Sequence, residues 1–472
     1  MLNIVMVASE CTPFFKTGGL ADVIGSLPQE LARNKKIETT VILPKHSKLP
    51  EEYEKELEFV GSFSVNVTWR NQHCGLFKIK QSDVTYYFID NEYYFKRDSL
   101  YGHFDDAERY VFFTHAVLAS IDYLNLDPSI LHCHDWQTGL IPAYIKAGRH
   151  SKLVKTLFTI HNLRYQGIFS FSIFHELLHL DETHIGGLMM GDSVNFLKAA
   201  LIHADWVSTV SPTYAMEIKT PHFGEGLHTI LNERSSTLTG IINGIDTNDF
   251  NPATDKALPF NYSHDLDKKR KNKRYIQEKY NLNISDSTPM VTIISRLVSE
   301  KGLPLILHIL EELLQTEDVQ LTILGTGDLE FEQAFKYFKN KFPDKMHVEL
   351  AFDESLARTF YAASDMFLMP SQFEPCGLSQ LIALRYESVP IVRETGGLND
   401  TILSYNEETG EGNGFSFTNF NADDLLYTIR RALSLYQDKK MWVEICHNVY
   451  QSDFSWTESA KTYMNLYEKL IE

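Results

Sequence analysis

Paired cysteines are missing from this chain. Cys11, Cys74, Cys133, Cys376 and Cys446 share no recurring spacing, and their odd number argues for free thiols in a reducing compartment. Basic residues are outnumbered, 44 Lys and Arg against 62 Asp and Glu, leaving a formal charge of −18. A protein that covers nucleic acid or an anionic membrane needs a broad basic face, so neither partner is expected. Any anionic ligand must instead meet a local cluster of cations. No apolar run approaches the roughly 18 residues of a membrane-spanning helix. The apolar strand pattern begins at Leu2, which leaves no room for a signal peptide, and a cytoplasmic location is expected. Short repeats and low-complexity tracts are absent as well.

What is present is ample material for packed cores. Hydrophobic residues make up 43% of 472 positions, with 30 Phe and 23 Tyr. At roughly 150 residues per domain, two large α/β domains are expected. The first residues show the pattern: LNIVMVAS reads as a buried strand, ADVIGSLPQELARN has helical spacing, and FKTGGLADV bridges the two. Lys16 therefore stands on a strand-to-helix crossover, where open α/β sheets bind ligands. The glycine pair beside it lets backbone approach a ligand closely. The bland alternative is a glycine-rich turn with a solvated lysine.

Downstream, VILP is a short strand, and GSFSVNVTW, CGLFKIKQ and VTYYFID form an antiparallel excursion. AERYVFFTHAVLASIDYL is a helix, ILHCHD and KTLFTIHN are strands, and WVSTVSPTYAMEI is a strand running into a helix. The pattern lapses over 251–267, NPATDKALPFNYSHDLD, which is read as a linker between a first domain over 1–250 and a second over 268–455. The second series contains MVTIISRL, VQLTILGTGD, MHVELAF, DMFLMPS, PIVRETGG and GFSF. A closing helix over 456–472 is a candidate to cross back to the first domain. Strands alternating with helices imply doubly wound parallel sheets, hence two Rossmann-like halves facing a cleft. The basic run KKRKNKR (268–274) lacks interleaved aromatics and is read as a solvated helix start.

Polar residues collect at strand carboxyl ends. The first half offers Lys16-Thr-Gly18-Gly19, His134-Asp135-Trp136, His161-Asn162 and Asn243-Gly-Ile-Asp246. The second offers Ser295-Arg296 with Lys301-Gly302, Gly325-Thr-Gly-Asp328, Glu374-Pro-Cys376-Gly377 and Thr395-Gly396-Gly397. Arg296 and Lys301 could be ordinary surface cations, but two positive side chains beside a helix amino terminus suit a diphosphate better. The Thr395-Gly-Gly397 turn offers a second helix amino terminus. His161 could be no more than a satisfied histidine at a strand end. His132 and His134 share a strand face and could hold a metal, but no third ligand has matching spacing, so no metal site is expected.

In order and rough spacing, KTGGLADV, HDWQTGL, TIHNLRYQGIF, NFLKAALIHADWVSTVSPTYAMEI, IINGID, SRLVSEKGL, FEPCGLSQLIALRY and RETGGLNDT resemble the bacterial glycogen synthases and plant starch synthases, glycosyltransferase family 5. The resemblance extends to the closing FSWTESAKTYMNLY and covers nearly the whole chain. It implies GT-B architecture, a retaining transferase, and no metal or other cofactor. It further implies that Lys16, Gly18 and Gly19 meet the donor diphosphate, which Arg296 and Lys301 also hold. Asp135, His161 and Asn243 match residues lining the sugar and acceptor site. Glu374, Cys376, Gly377 and Leu378 match the loop that grips the transferred glucose. Thr395, Gly396 and Gly397 fall on the donor side, and Phe352 stands where relatives commonly place a Tyr that stacks on the nucleobase. Glu394 departs from the Arg or neutral residue often found there, and is expected to point away from the phosphates. The position eight after Glu374 is Ile382, where a neighbouring retaining family has a second Glu and this family does not.

The implied reaction moves glucose from ADP-glucose to the nonreducing end of an α-1,4-glucan, with Lys16, His161, Arg296, Lys301 and Glu374 as catalytic residues. UDP-glucose as donor, a glucose phosphate as acceptor, and a noncatalytic glucan-binding scaffold are the alternatives. An NAD-dependent oxidoreductase is the reading from another class; it lacks GxGxxG after either first strand.

Overall fold

The computed structural model describes residues 1–150 and 154–472. The chain divides into two compact units, Met1–Gly244 with Trp456–Glu472, and Ile245–Ser455. Both are α/β and Rossmann-like. In the first, the strands are β1 (Leu2–Val7), β2 (Ile37–Pro44), β3 (Glu58–Val67), β4 (Arg70–Gln81), β5 (Val84–Asp90), β6 (Ile130–His134), β7 (Lys155–Ile160), the short β8 (Ile168–Ser170), β9 (Met189–Met190) and β10 (Ser193–Asn195), then β11 (Trp206–Thr209) and β12 (Leu238–Gly240). The main sheet has the order β12-β11-β7-β6-β1-β2-β5-β4-β3, and β8, β10 and β9 form a separate small sheet. In the main sheet β4 runs antiparallel to both its neighbours, β3 and β5, and the other described pairings are parallel.

Composition explains the arrangement. Ile4, Val5, Met6 and Val7 of β1 are wholly buried, as a central strand covered on both faces must be. The alternating β3 exposes one face and lies at the sheet edge. The closing helix Trp456–Ile471 packs Trp456, Tyr463 and Tyr467 into the same core as Ile4, Met6 and Leu27.

The second unit has six parallel strands, β13 (Met290–Ile294), β14 (Gln320–Leu324), β15 (Met346–Glu349), β16 (Met366–Met369), β17 (Val389–Arg393) and β18 (Phe415–Phe417). Their order is β15-β14-β13-β16-β17-β18. Residues 251–267 join this unit as packed chain. Tyr262 is buried in its core and donates to the Tyr386 carbonyl at 2.6 Å, while Asp255 accepts from the Tyr386 hydroxyl.

The basic run departs from its expected solvation. It lies on the helix Leu266–Lys279, but Lys269 and Lys273 are 5% and 1% exposed. Lys269 donates to the carbonyls of Tyr361, Ala362 and Tyr386, and Lys273 pairs with Asp365 at 2.7 Å. Helical spacing turns positions 269 and 273 inward together. No disulfide joins the five cysteines, and all five are buried. Among the described residues no helix is long and apolar enough to cross a membrane.

Candidate functional site

Strand order locates the chemistry in each sheet. In the first unit the succession of parallel strands reverses between β1 and β6, and in the second between β13 and β16. Such switch points open a crevice at the strand carboxyl ends. Lys16 follows β1 and Asp135 follows β6; Arg296 and Lys301 follow β13 and Glu374 follows β16.

The loop after β1 is held from within. Cys11 and Phe15 form an isolated antiparallel bridge, so the chain doubles back before Lys16. Glu10, 4% exposed, accepts from the Thr17 amide at 2.5 Å, the Thr17 hydroxyl at 2.8 Å and the Gly18 amide at 3.2 Å. Burial pushes its carboxyl above the ordinary range, and the Thr17 and Gly18 hydrogen bonds pull it back. Lys16 Nζ pairs with Asp22 Oδ1 at 2.8 Å, in the first turn of the helix Gly19–Ala32. A Cβ built on Gly18 would come no closer than 3.9 Å to Glu10 Oε1, an ordinary contact. The loop itself therefore does not require glycine there.

At the ends of β6 and β7, Asp135 Oδ1 accepts from the His161 amide at 2.8 Å, and His134 Nδ1 lies 3.0 Å from His161 Nε2. Asp135 has φ 56° and ψ 177°, a region close to one that only glycine enters freely, at a cost of about 1–3 kcal/mol. Desolvation pushes its carboxyl up to about 7 against the lowering effect of the His161 and Asn162 amides. Desolvation also holds His161 down to about 3 and His134 well below its ordinary value, so both imidazoles are neutral at neutral pH. His132 uses both ring nitrogens, on the Tyr467 hydroxyl at 2.9 Å and the Thr159 hydroxyl at 2.6 Å, and so is occupied on both sides. No group of three or more potential metal ligands stands among the described residues. Asn243, 4% exposed, has a side-chain oxygen with no hydrogen-bond partner among them.

In the second unit Lys301 Nζ lies 2.6 Å from Glu374 Oε2, which also accepts from Ser371 Oγ at 3.1 Å. Arg296 pairs with Glu300 at 3.0 Å and is mostly exposed. The Glu374–Leu378 loop is pinned by Gln380, whose amide donates to the carbonyls of Cys376 at 3.0 Å and Gly377 at 2.9 Å. Leu378 caps the following helix, Ser379–Arg385.

The two glycines of the Thr395 turn have a different role from the open anion-binding turn expected. A Cβ on Gly396 would lie 2.0 Å from the Glu374 carbonyl, and one on Gly397 2.0 Å from that of Cys376. The Gly397 amide donates to the carbonyls of Glu374 and Pro375. These glycines admit the glutamate loop, which already takes the Gly397 donor. Glu394 accepts from the hydroxyls of Ser416 and Thr418, both at 2.7 Å, and so cross-links β17 to the end of β18. Phe352, after β15, is 83% exposed, unusual for so large an aromatic ring.

Glu10 and Asp22 escaped the sequence reading. The signal for Glu10 was an acid inside the apolar stretch before KTGG; for Asp22 it was an acid in the first turn of a helix whose preceding loop carries a lysine.

The family model described as starch synthase catalytic domain matches residues 3–233, and that of glycosyl transferases group 1 matches 276–448. The chain is 55% identical over 470 residues to a glycogen synthase of Halalkalibacterium halodurans, covering 100% of this chain and 98% of the relative. It is 47% identical over 478 residues to a glycogen synthase of Geobacillus stearothermophilus, with the same shares covered. Among solved structures, the catalytic domain of starch synthase IV from Arabidopsis thaliana bound to ADP and acarbose is similar at a TM-score of 0.91 and 34% identity, covering 100% of this chain and 99% of that one.

Proposed function

This chain belongs to the starch synthase catalytic-domain family of hexosyltransferases, and on that premise we propose that it transfers glucose from ADP-glucose to the 4-hydroxyl at the nonreducing end of an α-1,4-glucan, with retention. The observation that carries the reading is the Lys301–Glu374 pair at the switch point of the second sheet. A cation for the leaving phosphate and a carboxylate for sugar hydroxyls stand side by side there. The ADP named with the plant relative supports an adenosine diphosphate donor.

Cleaving the bond from sugar to phosphate creates an oxocarbenium-like carbon and adds negative charge to the leaving diphosphate. Arg296 and Lys301 of the second unit, and Lys16 of the first, are the cations assigned to neutralise that charge, because positive groups beside a developing anion stabilise it. The acceptor oxygen bonds to the anomeric carbon on the face the phosphate leaves, and its proton passes to the departing phosphate oxygen. Glu374 is engaged by an ammonium and a hydroxyl, which suits it to accept sugar hydroxyls better than to attack carbon. Asp135 and the unpartnered Asn243 oxygen are acceptors for acceptor-chain hydroxyls, and neutral His161 is held beside Asp135 for the same sugar. Gly18 keeps the backbone open to the diphosphate, and Phe352 offers its face to the adenine.

The test is incorporation of labelled glucose into glycogen from ADP-glucose and, separately, UDP-glucose. Faster incorporation from ADP-glucose is expected. Preference for UDP-glucose would overturn the donor assignment, and no incorporation from either would overturn the reaction.

A further inference from the structure

Beneath the helix Leu266–Lys279 the second unit contains a cavity of about 180 Å³. None of its lining residues is proposed above for the transfer reaction. Its floor is polar and charged: Lys269, Lys273, Asp365 and Glu387, with Trp442 and Cys446 alongside. Its rim carries the exposed cations Arg270, which pairs with Asp267 at 2.5 Å, and Lys439, with Asp286 as a further rim carboxylate.

Most of the floor is satisfied internally. The Lys269 ammonium has three carbonyl acceptors, and desolvation lowers it to about 8. Asp365 is held by Lys273 and the Met290 amide. Glu387 is the exception. It is 3% exposed, its Oε1 accepts from the His264 amide at 3.0 Å, and its Oε2 has no hydrogen-bond partner among the described residues. It also has φ 56°, the left-handed conformation usually given to glycine after a helix. A buried carboxylate oxygen without a donor is costly, so the site favours a ligand that brings one. An ammonium would meet Lys269 and Lys273, so a neutral hydroxyl is the better donor. Trp442 and Tyr436, with ring centroids 4.9 Å apart, supply aromatic faces for the carbon side of a sugar ring. Arg270 and Lys439 at the mouth suit an anion attached to that sugar.

We infer that this cavity is a binding site for a hexose phosphate, with a sugar hydroxyl donating to Glu387 Oε2 and the phosphate meeting Arg270 and Lys439. Glu387 lies two residues after the helix Ser379–Arg385, which begins where the Glu374–Leu378 loop ends. Occupancy of the cavity is thereby linked through one short helix to the loop proposed to grip the transferred glucose.

Thermal unfolding of the full-length protein, with saturating ADP present to fill the donor site, tests the assignment. Glucose 6-phosphate at about a hundredfold above its Kd should raise Tm by about 2–5 °C beyond the ADP effect. Glucose or inorganic phosphate alone should do much less. The rim double variant Arg270→Glu/Lys439→Glu, and separately Val443→Trp at the mouth, should lose this increment and keep the ADP shift. No increment at millimolar glucose 6-phosphate, an increment that survives both variants, or an equal increment from glutamate would each overturn the proposal.

Discussion

Lys301 Nζ and Glu374 Oε2, 73 residues apart in sequence, lie 2.6 Å apart at the carboxyl ends of adjacent strands. The pair holds opposite charges where the donor's phosphate and sugar are proposed to meet. Removing either partner leaves the other without its counter-charge, so the two substitutions should not add. In a double-mutant cycle of Lys301→Gln and Glu374→Gln, measured as kcat/KM for the donor, a coupling of about 1–3 kcal/mol is expected. Simple additivity would mean that the two residues act independently.

Two glycine substitutions separate packing from ligand approach. Gly397→Ala places a Cβ 2.0 Å from the Cys376 carbonyl, so it should destabilise the protein by more than about 2 kcal/mol and damage the glutamate loop. Gly18→Ala meets nothing closer than 3.9 Å, so it should leave Tm nearly unchanged while reducing donor turnover. Denaturant unfolding beside kinetics checks both. A fully active Gly18→Ala enzyme would contradict the approach of the diphosphate to this loop.

Much of this was legible in the sequence. Apolar, β-branched runs such as LNIVMV and MVTII announced the central strands, and their following residues marked the candidate site, because a parallel sheet brings such ends to one edge of that sheet. What pattern could not reveal was side-chain direction within a charged segment. KKRKNKR reads as solvated until helical spacing turns Lys269 and Lys273 into the core, where carbonyls and Asp365 receive them. The glycines after Thr395 were visible, but their role depends on the Glu374–Cys376 carbonyls from a different segment. Glu10 belonged to no motif, and its three contacts within KTGG arise only when the loop doubles back.

Asp135 should give activity a pH dependence of definite sign. Its carboxyl is raised to about 7, and the ionised form accepts hydroxyl protons best. The rate with limiting glucan should therefore rise through about pH 7, and Asp135→Asn should remove that inflection along with much of the activity. Stability has two opposing contributions. Between about pH 4 and 7 the folded state retains the Asp135 proton that the unfolded state releases, so that contribution weakens as pH rises. His161, lowered to about 3, and His134 stay neutral when folded, so their contribution is present above about pH 6.5 and is lost as pH falls. Burial raises Glu10 as it does Asp135 and lowers His132 as it does the other two histidines, so with three histidines against two acids, acid should destabilise this site, and Tm measured from pH 7 to pH 5 should fall.

Phe352→Ala removes an exposed ring that the fold does not need for packing. Stacking on the base is binding shared by ground and transition states, so KM for ADP-glucose should rise while kcat changes little. An unchanged KM would remove Phe352 from the donor site.

The central claim is that fixed cations stabilise the diphosphate as its charge grows, and Lys16 tests it most directly. Its side chain is 35% exposed and paired with Asp22 on a loop tied by Glu10, so Lys16→Gln should leave the loop folded. A charged hydrogen bond to the leaving group contributes about 1.5–3 kcal/mol, and somewhat more where donors are preorganised. The measurement is kcat at saturating ADP-glucose alongside the ADP-glucose dissociation constant for Lys16→Gln. The account predicts a loss of kcat of about a hundredfold or more with only a modest change in affinity; weakened donor binding with kcat intact would contradict it.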